Sequence, residues 1–327
     1  MKPKISITDL SYFSDCRRQW WLSKTYSPKK PQSHFWLGSL VHKGLETYYK
    51  GKKDLPIVLR SMQEYITKSF SSMSETFTPW ETFRPELEEL GELALGMVQN
   101  YSVYDYENPL QGKVVEVEKY VTIPQPTFNL SGRIDLVLKR SDGLWVVDHK
   151  TASSTYDLKG LDVDEQLTGY AYMVWKLYGE IPAGVLYNVL IKDLPAEPRI
   201  LKNGELSKDK DQRTIYTLYL QKIQELGLEE EKYSDFLSML KSQGWGKFFT
   251  RDGSTRNEHE LLNFETRARR KGEDILKILK DPTTHAYPSP STFRCSSCVF
   301  LGVCKAMEDG GDYQYILNNH FLPNSYY

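Results

Sequence analysis

The residue pattern changes character at Gly112, and nothing else in the sequence limits the fold as much. Residues 113–123, 128–139 and 144–150 are three runs rich in β-branched side chains, separated by Pro124 and Pro126 and by the turn Ser141-Asp142-Gly143. They read as three successive strands. The first third of the chain is helical in pattern instead. Residues 6–25 open with the capping-box-like Ser6-x-x-Asp9 and carry Leu10, Phe13, Trp20 and Trp21 at helical spacing, with Cys16 on the Phe13 and Trp20 face. Further helices are expected at 35–50, 54–73 and 84–107. After the three strands the pattern predicts a helix at 161–178, strands at 183–192 and 198–202, and charged helices at 208–242 and 257–280. This order predicts an α/β core with helices added before and after it. The expected organisation is a helical part at 1–110, a core at 111–205 and a helical part at 206–327, all in one integrated unit.

A chain of 327 residues, 40% of them apolar, can bury a large core. It contains no run of eighteen apolar residues, and the start MKPKISITDL lacks a signal-peptide stretch, so a cytoplasmic location and no membrane contact are expected. Forty-two basic against forty-three acidic residues give a net charge of -1, so any phosphate-binding surface must be local. Arg17, Arg18, Lys24, Lys29 and Lys30, then Lys208, Lys210 and Arg213, then Arg267, Arg269, Arg270 and Lys271 are the candidate basic patches, and such groups are usually solvated faces.

The third strand ends in Asp148-His149-Lys150, and a period of two puts Asp148 and Lys150 on one face with His149 on the other. A carboxylate and an amine about 6–7 Å apart along a strand can hold a divalent cation and an attacking water side by side. The strand before it supplies Asp135, in Gly132-Arg133-Ile134-Asp135, ahead of the apolar Leu136, Val137 and Leu138. An ionised carboxylate among such neighbours needs a partner or a metal. Gln166 and Tyr170, at i and i+4, share one helix face. His42 lies on a helix between Gly38 and Leu45, where a lone histidine is usually a structural residue.

Taken together, His42 in Gly38-Ser39-x-x-His42, Asp135 in GRID, Asp148-x-Lys150 before Thr151, and Gln166-x-x-x-Tyr170 resemble, in order and spacing, the RecB-like PD-(D/E)XK nucleases. The resemblance implies a central mixed β-sheet flanked by helices and Mg²⁺- or Mn²⁺-dependent hydrolysis of DNA phosphodiester bonds. It implies that His42, Asp135, Asp148 and the carbonyl of His149 bind the metal, that Lys150 steadies water and phosphate, and that Gln166 and Tyr170 position Lys150 and the DNA backbone. Asp148 stands where many relatives have Glu.

The cysteines are lopsided: Cys16 is alone near the start, and Cys295, Cys298 and Cys304 fall within ten residues. Four thiolates suit zinc or an iron–sulfur cluster, and spacing alone does not choose between them. The chain resembles iron–sulfur nucleases of CRISPR adaptation and of recombination repair, in which one N-terminal and three C-terminal cysteines hold a 4Fe–4S cluster. Arg17 follows Cys16 where those relatives often have Pro. The resemblance implies a structural cluster that staples the N-terminal helix to the core. The sequence contains no GxxxxGK[ST], so unwinding would require a separate helicase or recombination partner. The competing expectation is a DNA-binding or assembly subunit that uses the nuclease fold mainly for docking. The tail after Asp309 is open to either disorder or docking on the core.

Overall fold

The three expected strands form, and in a computed structural model that describes residues 2–51, 53–154 and 158–324 they belong to a six-stranded mixed sheet. In chain order the first elements are β1 (Lys4–Ser6), α1 (Ile7–Asp15), α2 (Arg17–Thr25), β2 (Tyr26–Pro28), α3 (Ser33–Lys50), α4 (Leu55–Thr76) and α5 (Trp80–Glu107). Then come β3 (Lys113–Pro124), β4 (Asn129–Arg140), β5 (Gly143–Ala152), α6 (Glu165–Tyr178) and β6 (Gly184–Ile191). The last part holds α7 (Tyr216–Glu225), α8 (Ser234–Gln243), β7 (Phe249–Ser254), α9 (Glu258–Lys280), α10 (Pro282–His285), α11 (Thr292–Ser296), α12 (Leu301–Asp309), α13 (Tyr313–His320) and β8 (Phe321–Pro323).

β4 organises the sheet. β3 runs antiparallel along one edge, from Lys113↔Lys139 to Pro124↔Asn129. The other edge is divided: β5 pairs antiparallel with Leu136–Arg140, and β1 pairs parallel with 129–131. Between these two partners, residues 132–135 of β4 have no paired strand on that edge. On its other edge β5 runs parallel to β6 from Trp145↔Gly184 to Ala152↔Ile191, past its last pair with β4, and β6 pairs antiparallel with β7.

Each face of the sheet carries its own core. Leu10 and Phe13 of α1, Leu167 and Met173 of α6, and Phe264 and Ile275 of α9 cover one face. Leu37, Leu40 and Leu45 of α3, Met62 of α4 and Met97 and Val98 of α5 cover the other. This is the central mixed sheet flanked by helices that the sequence leads one to expect. No helix among the described residues is long and apolar enough to cross a membrane.

Three local expectations are corrected. The helix expected over 6–25 breaks at Cys16, which adopts extended backbone (φ -161°, ψ 116°) and caps α2 with its sulfur. The strand expected at 198–202 is absent, leaving only the bridge Ile200↔Leu206. The helix expected over 208–242 splits into α7 and α8, because Gly227 takes φ +61° just past α7. β7 was unanticipated, since Phe249-Thr-Arg-Asp-Gly-Ser is too polar to signal a strand. The tail docks: β8 pairs with β2, while residues 325–327 lie outside the described residues.

Gly132 shows why a glycine opens the GRID segment. A Cβ there would sit 2.8 Å from Met173 Sδ and 3.2 Å from Tyr170 Cε1, so its absence lets α6 lie close against β4. Gly132→Ala should therefore push Tyr170 out of line and cost about 1–3 kcal/mol, the usual cost of overpacking. Urea unfolding of the variant should show the loss in midpoint with an unchanged slope.

Candidate active site

The site lies where β5 parts from β4. The last β4–β5 pair on that side is Leu136↔Val147, and beyond it the amide of His149 donates to Asp135 Oδ2 at 2.7 Å. A side-chain carboxylate thus takes the place of a ladder carbonyl. The backbone around Asp135 is irregular for the same reason: Ile134 packs into the α6 core, Leu136 packs into the α3 core, and Val137 returns to the first. Across β3, Glu118 falls between the pairs Val117↔Leu136 and Lys119↔Ile134, opposite Asp135, with φ +52°.

α3 brings His42 over this junction. Its Nε2 lies 3.0 Å from the carbonyl oxygen of His149. Its Nδ1 lies 3.6 Å from Glu118 Oε1 and 3.7 Å from Asp135 Oδ2. Glu118 was not anticipated, although folding the hairpin about residues 125–128 would have placed it opposite Asp135. On β5, Lys150 Nζ sits 2.8 Å from Asp148 Oδ2 and donates to Gln166 Oε1 at 2.7 Å. Because Oε1 takes the lysine, the Gln166 amide nitrogen donates to Tyr170 Oη at 3.0 Å. His42, Asp135, Asp148, Lys150, Gln166 and Tyr170 all line one cavity of about 710 Å³, with Glu118, Arg133 and Lys192 on its wall.

The side chain of His149 points away, into a buried network. It stacks on Tyr49 (centroids 5.7 Å apart, planes 11° apart), and its Nδ1 meets the Asn188 amide at 2.9 Å. Asn188 Oδ1 accepts from Arg251 Nε at 2.8 Å, so its NH₂ faces the histidine and Nδ1 is the acceptor. Arg251 in turn pairs with the fully buried Asp105 at 2.7 Å. Burial, with the nearby charge of His42, holds the His149 ring well below its ordinary pKa and therefore neutral.

The other titrations reflect crowded carboxylates. Burial and then the neighbouring Asp148 raise Asp135 to about 7. Burial disfavours a charged His42, yet Asp135, Glu118 and Asp148 outweigh it and lift the ring to about 9. Burial opposes the Lys150 ammonium too, and Asp148 more than offsets it, so its pKa is raised.

These donors fit a hard divalent cation. His42, Glu118 and Asp135 each offer a ligand atom within 4.8 Å of the others. The 3.0 Å between His42 Nε2 and the His149 carbonyl is the spacing of adjacent octahedral positions at about 2.1 Å from an ion. Buried Asp148 Oδ2 faces Lys150 Nζ at 2.8 Å and has no other hydrogen-bond partner among the described residues, so a lone pair stays available to the cavity.

The four cysteines lie in a different place. Cys16, Cys295, Cys298 and Cys304 line a single small cavity, walled by Leu22, Phe300 and Pro288. Amides of Gln19 and Ser289 point at Cys16 Sγ (3.5 and 3.4 Å), the amide of Ser291 at Cys295 Sγ (3.4 Å), and Arg18 Nη1 at Cys304 Sγ (3.6 Å).

Comparison with known proteins gives a matching family model, described as the PD-(D/E)XK nuclease superfamily, over residues 4–305. No curated protein matches the sequence. Among solved structures the chain is similar to a crystal structure of a candidate exonuclease from Eubacterium rectale, at 12% identity over 92% of this chain and 87% of that one, with a TM-score of 0.47. It is also similar to a crystal structure of SSO0001, at 14% identity over 94% and 87%, with a TM-score of 0.37.

The raised pKa of His42 makes stability depend on pH. Its folded value of about 9 exceeds the unfolded 6.5, so its stabilising contribution is complete below 6.5 and lost as pH rises through 9. Metal-free protein should accordingly melt at progressively lower temperature between those values. His42→Gln should flatten that alkaline limb in melts followed by circular dichroism.

Proposed function

Because the chain belongs to the PD-(D/E)XK nuclease superfamily, we propose that its cavity is the active site of a Mg²⁺- or Mn²⁺-dependent deoxyribonuclease acting as an exonuclease. The observation that carries this reading is the convergence of His42, Asp135, Asp148 and Lys150, from a helix and two strands, on one cavity. His42 Nε2, Asp135, Asp148 and the carbonyl of His149 would hold the ion. Once bound, the ion polarises the phosphoryl oxygen and makes its water more acidic.

The chain's own groups do the rest. Lys150, kept charged beside Asp148, presents its ammonium to the phosphate and to the incoming water. Gln166 fixes that ammonium from the α6 side. Tyr170, whose pKa burial and the two aspartates raise, keeps its hydroxyl proton while accepting from Gln166, so it remains a donor for the DNA backbone. Neutral His149, locked by Asn188 and Tyr49, fixes the carbonyl and amide that the strand junction presents.

The four thiols we assign to a structural 4Fe–4S cluster, an assignment that would put the chain in the iron–sulfur branch of the family. The four sulfurs line one small cavity, as a single four-thiolate centre requires. Amide and guanidinium donors to sulfur suit thiolates. The cluster would tie α2 to the segment 288–304, so that the three parts of the chain act as one nuclease unit. A helicase or recombination protein is the partner this function would call for.

Two outcomes are expected. Asp148→Asn should abolish cleavage of labelled DNA, and Lys150→Ala should bind DNA without cutting it; full activity in either variant, free of host nuclease, rejects the assigned site. Protein purified without oxygen should be brown and contain iron and sulfide. Cys16→Ala should lose that colour and melt lower, because metal-site free energy is folding free energy, and a colourless parent with stoichiometric zinc rejects the cluster.

A further inference from the structure

Phe35 stands on the rim of the cavity with no structural task. It opens α3, is 54% exposed, and shares a helix face with Ser39 and His42, about 10 Å along the axis from that histidine. His34 supports its ring, with centroids 4.1 Å apart and planes inclined by 40°. A large part of the Phe35 ring remains open. Phe35 lines both the active-site cavity and a second groove that continues past Tyr12, itself 38% exposed, toward α2. The active-site end of this path carries Lys43, Arg133 and Lys150, paired with Glu46, Glu118 and Asp148 respectively, and Lys192 adds a further cation for a polyanion.

We propose that Phe35 is a stacking platform for an unpaired nucleobase beside the phosphate that is cut, so that the cavity takes single-stranded DNA; this rests on the nuclease reading above. An exposed aromatic ring beside cationic groups is the means by which proteins hold single strands without reading sequence. Base pairs inside a duplex have both faces covered by their neighbours and offer nothing to such a ring. A strand whose backbone follows the cations would present a base to Phe35 roughly one or two nucleotides from the ion, given the 10 Å offset along α3.

The test uses the full-length Lys150→Ala protein, with and without Phe35→Ala or Phe35→Trp, and fluorescein-labelled probes. The probes are a single strand, the same strand with one abasic position moved along it, and a duplex closed by hairpins at both ends. Phe35→Ala should weaken single-strand binding roughly tenfold, about one lost base–aromatic stack, and Phe35→Trp should restore it. One abasic position should cost the Phe35 protein a similar factor and the Phe35→Ala protein nothing. Binding to the closed duplex should change less than twofold. Equal losses on single strand and closed duplex, or an abasic penalty unaffected by Phe35→Ala, overturns the platform. If the parent protein still cuts DNA with Mg²⁺ or Mn²⁺, that result leaves the nuclease reading standing; if it cuts neither form, both readings fall.

Discussion

The hydrogen bond from the His149 amide to Asp135 is the interaction on which the site depends. Where β5 runs on past its last pair with β4, its amides on that side lose their ladder acceptors, and a buried unpaired N–H costs about 1–3 kcal/mol. Asp135 supplies the missing acceptor and is thereby held at the junction with its second oxygen free for other partners. The divergence of the strands creates the cavity, and the same carboxylate that caps the divergence lines it. Lys150, the residue after His149 on β5, lines the same cavity.

Much of the fold was legible because its strands keep a clean β pattern and its long helices keep an apolar stripe. The carboxylates and the lysine were legible for a related reason: a charged residue inside a run such as Ile134 to Leu138 has to be explained. Glu118 escaped notice because β3 is only half buried, so a glutamate there looks like an ordinary exposed residue. Its significance comes from register, which is a property of the hairpin and not of the strand. β7 escaped because an edge strand can be polar, yet it carries Arg251, which anchors Asn188 and hence the ring of His149. The break at Cys16 escaped because Leu10, Phe13 and Trp20 keep helical spacing across it. An extended residue between two short helices leaves that spacing nearly unchanged while turning the sulfur toward Ser289.

The two ends of the chain meet far from the sheet's centre. Leu22 of α2 packs with Phe300, Val303, Leu317 and Phe321 in a small apolar cluster of its own, and β2 pairs with β8. So small a cluster buries little area, and the polar contacts around it, such as Arg18 with Glu308 and Arg294 with Asp15, are partly exposed and worth little. The cysteines lie on one side of this cluster, where a covalent centre would add stability that burial there does not supply. α1 and α2 are consecutive, so whatever fixes α2 also limits how α1 packs on α6, and α6 carries Gln166 and Tyr170.

Charge balance explains why the cavity tolerates so many acids. Glu118, Asp135 and Asp148 face His42 and Lys150, and in the metal-free protein His42 carries a proton that its own burial would otherwise remove. That proton does the electrostatic work of a cation. In the proposed site His42 Nε2 would have to be unprotonated to hold a divalent ion, which would leave Nδ1 facing Glu118 at 3.6 Å. A histidine bound to metal through one nitrogen characteristically donates the other N–H to a carboxylate, which fixes the ring and raises its basicity. The left-handed backbone of Glu118, a conformation that costs roughly 1–3 kcal/mol in a non-glycine residue, is then understandable. It sets a carboxylate opposite Asp135 and beneath His42, a place that an unstrained strand with regular alternation would not provide.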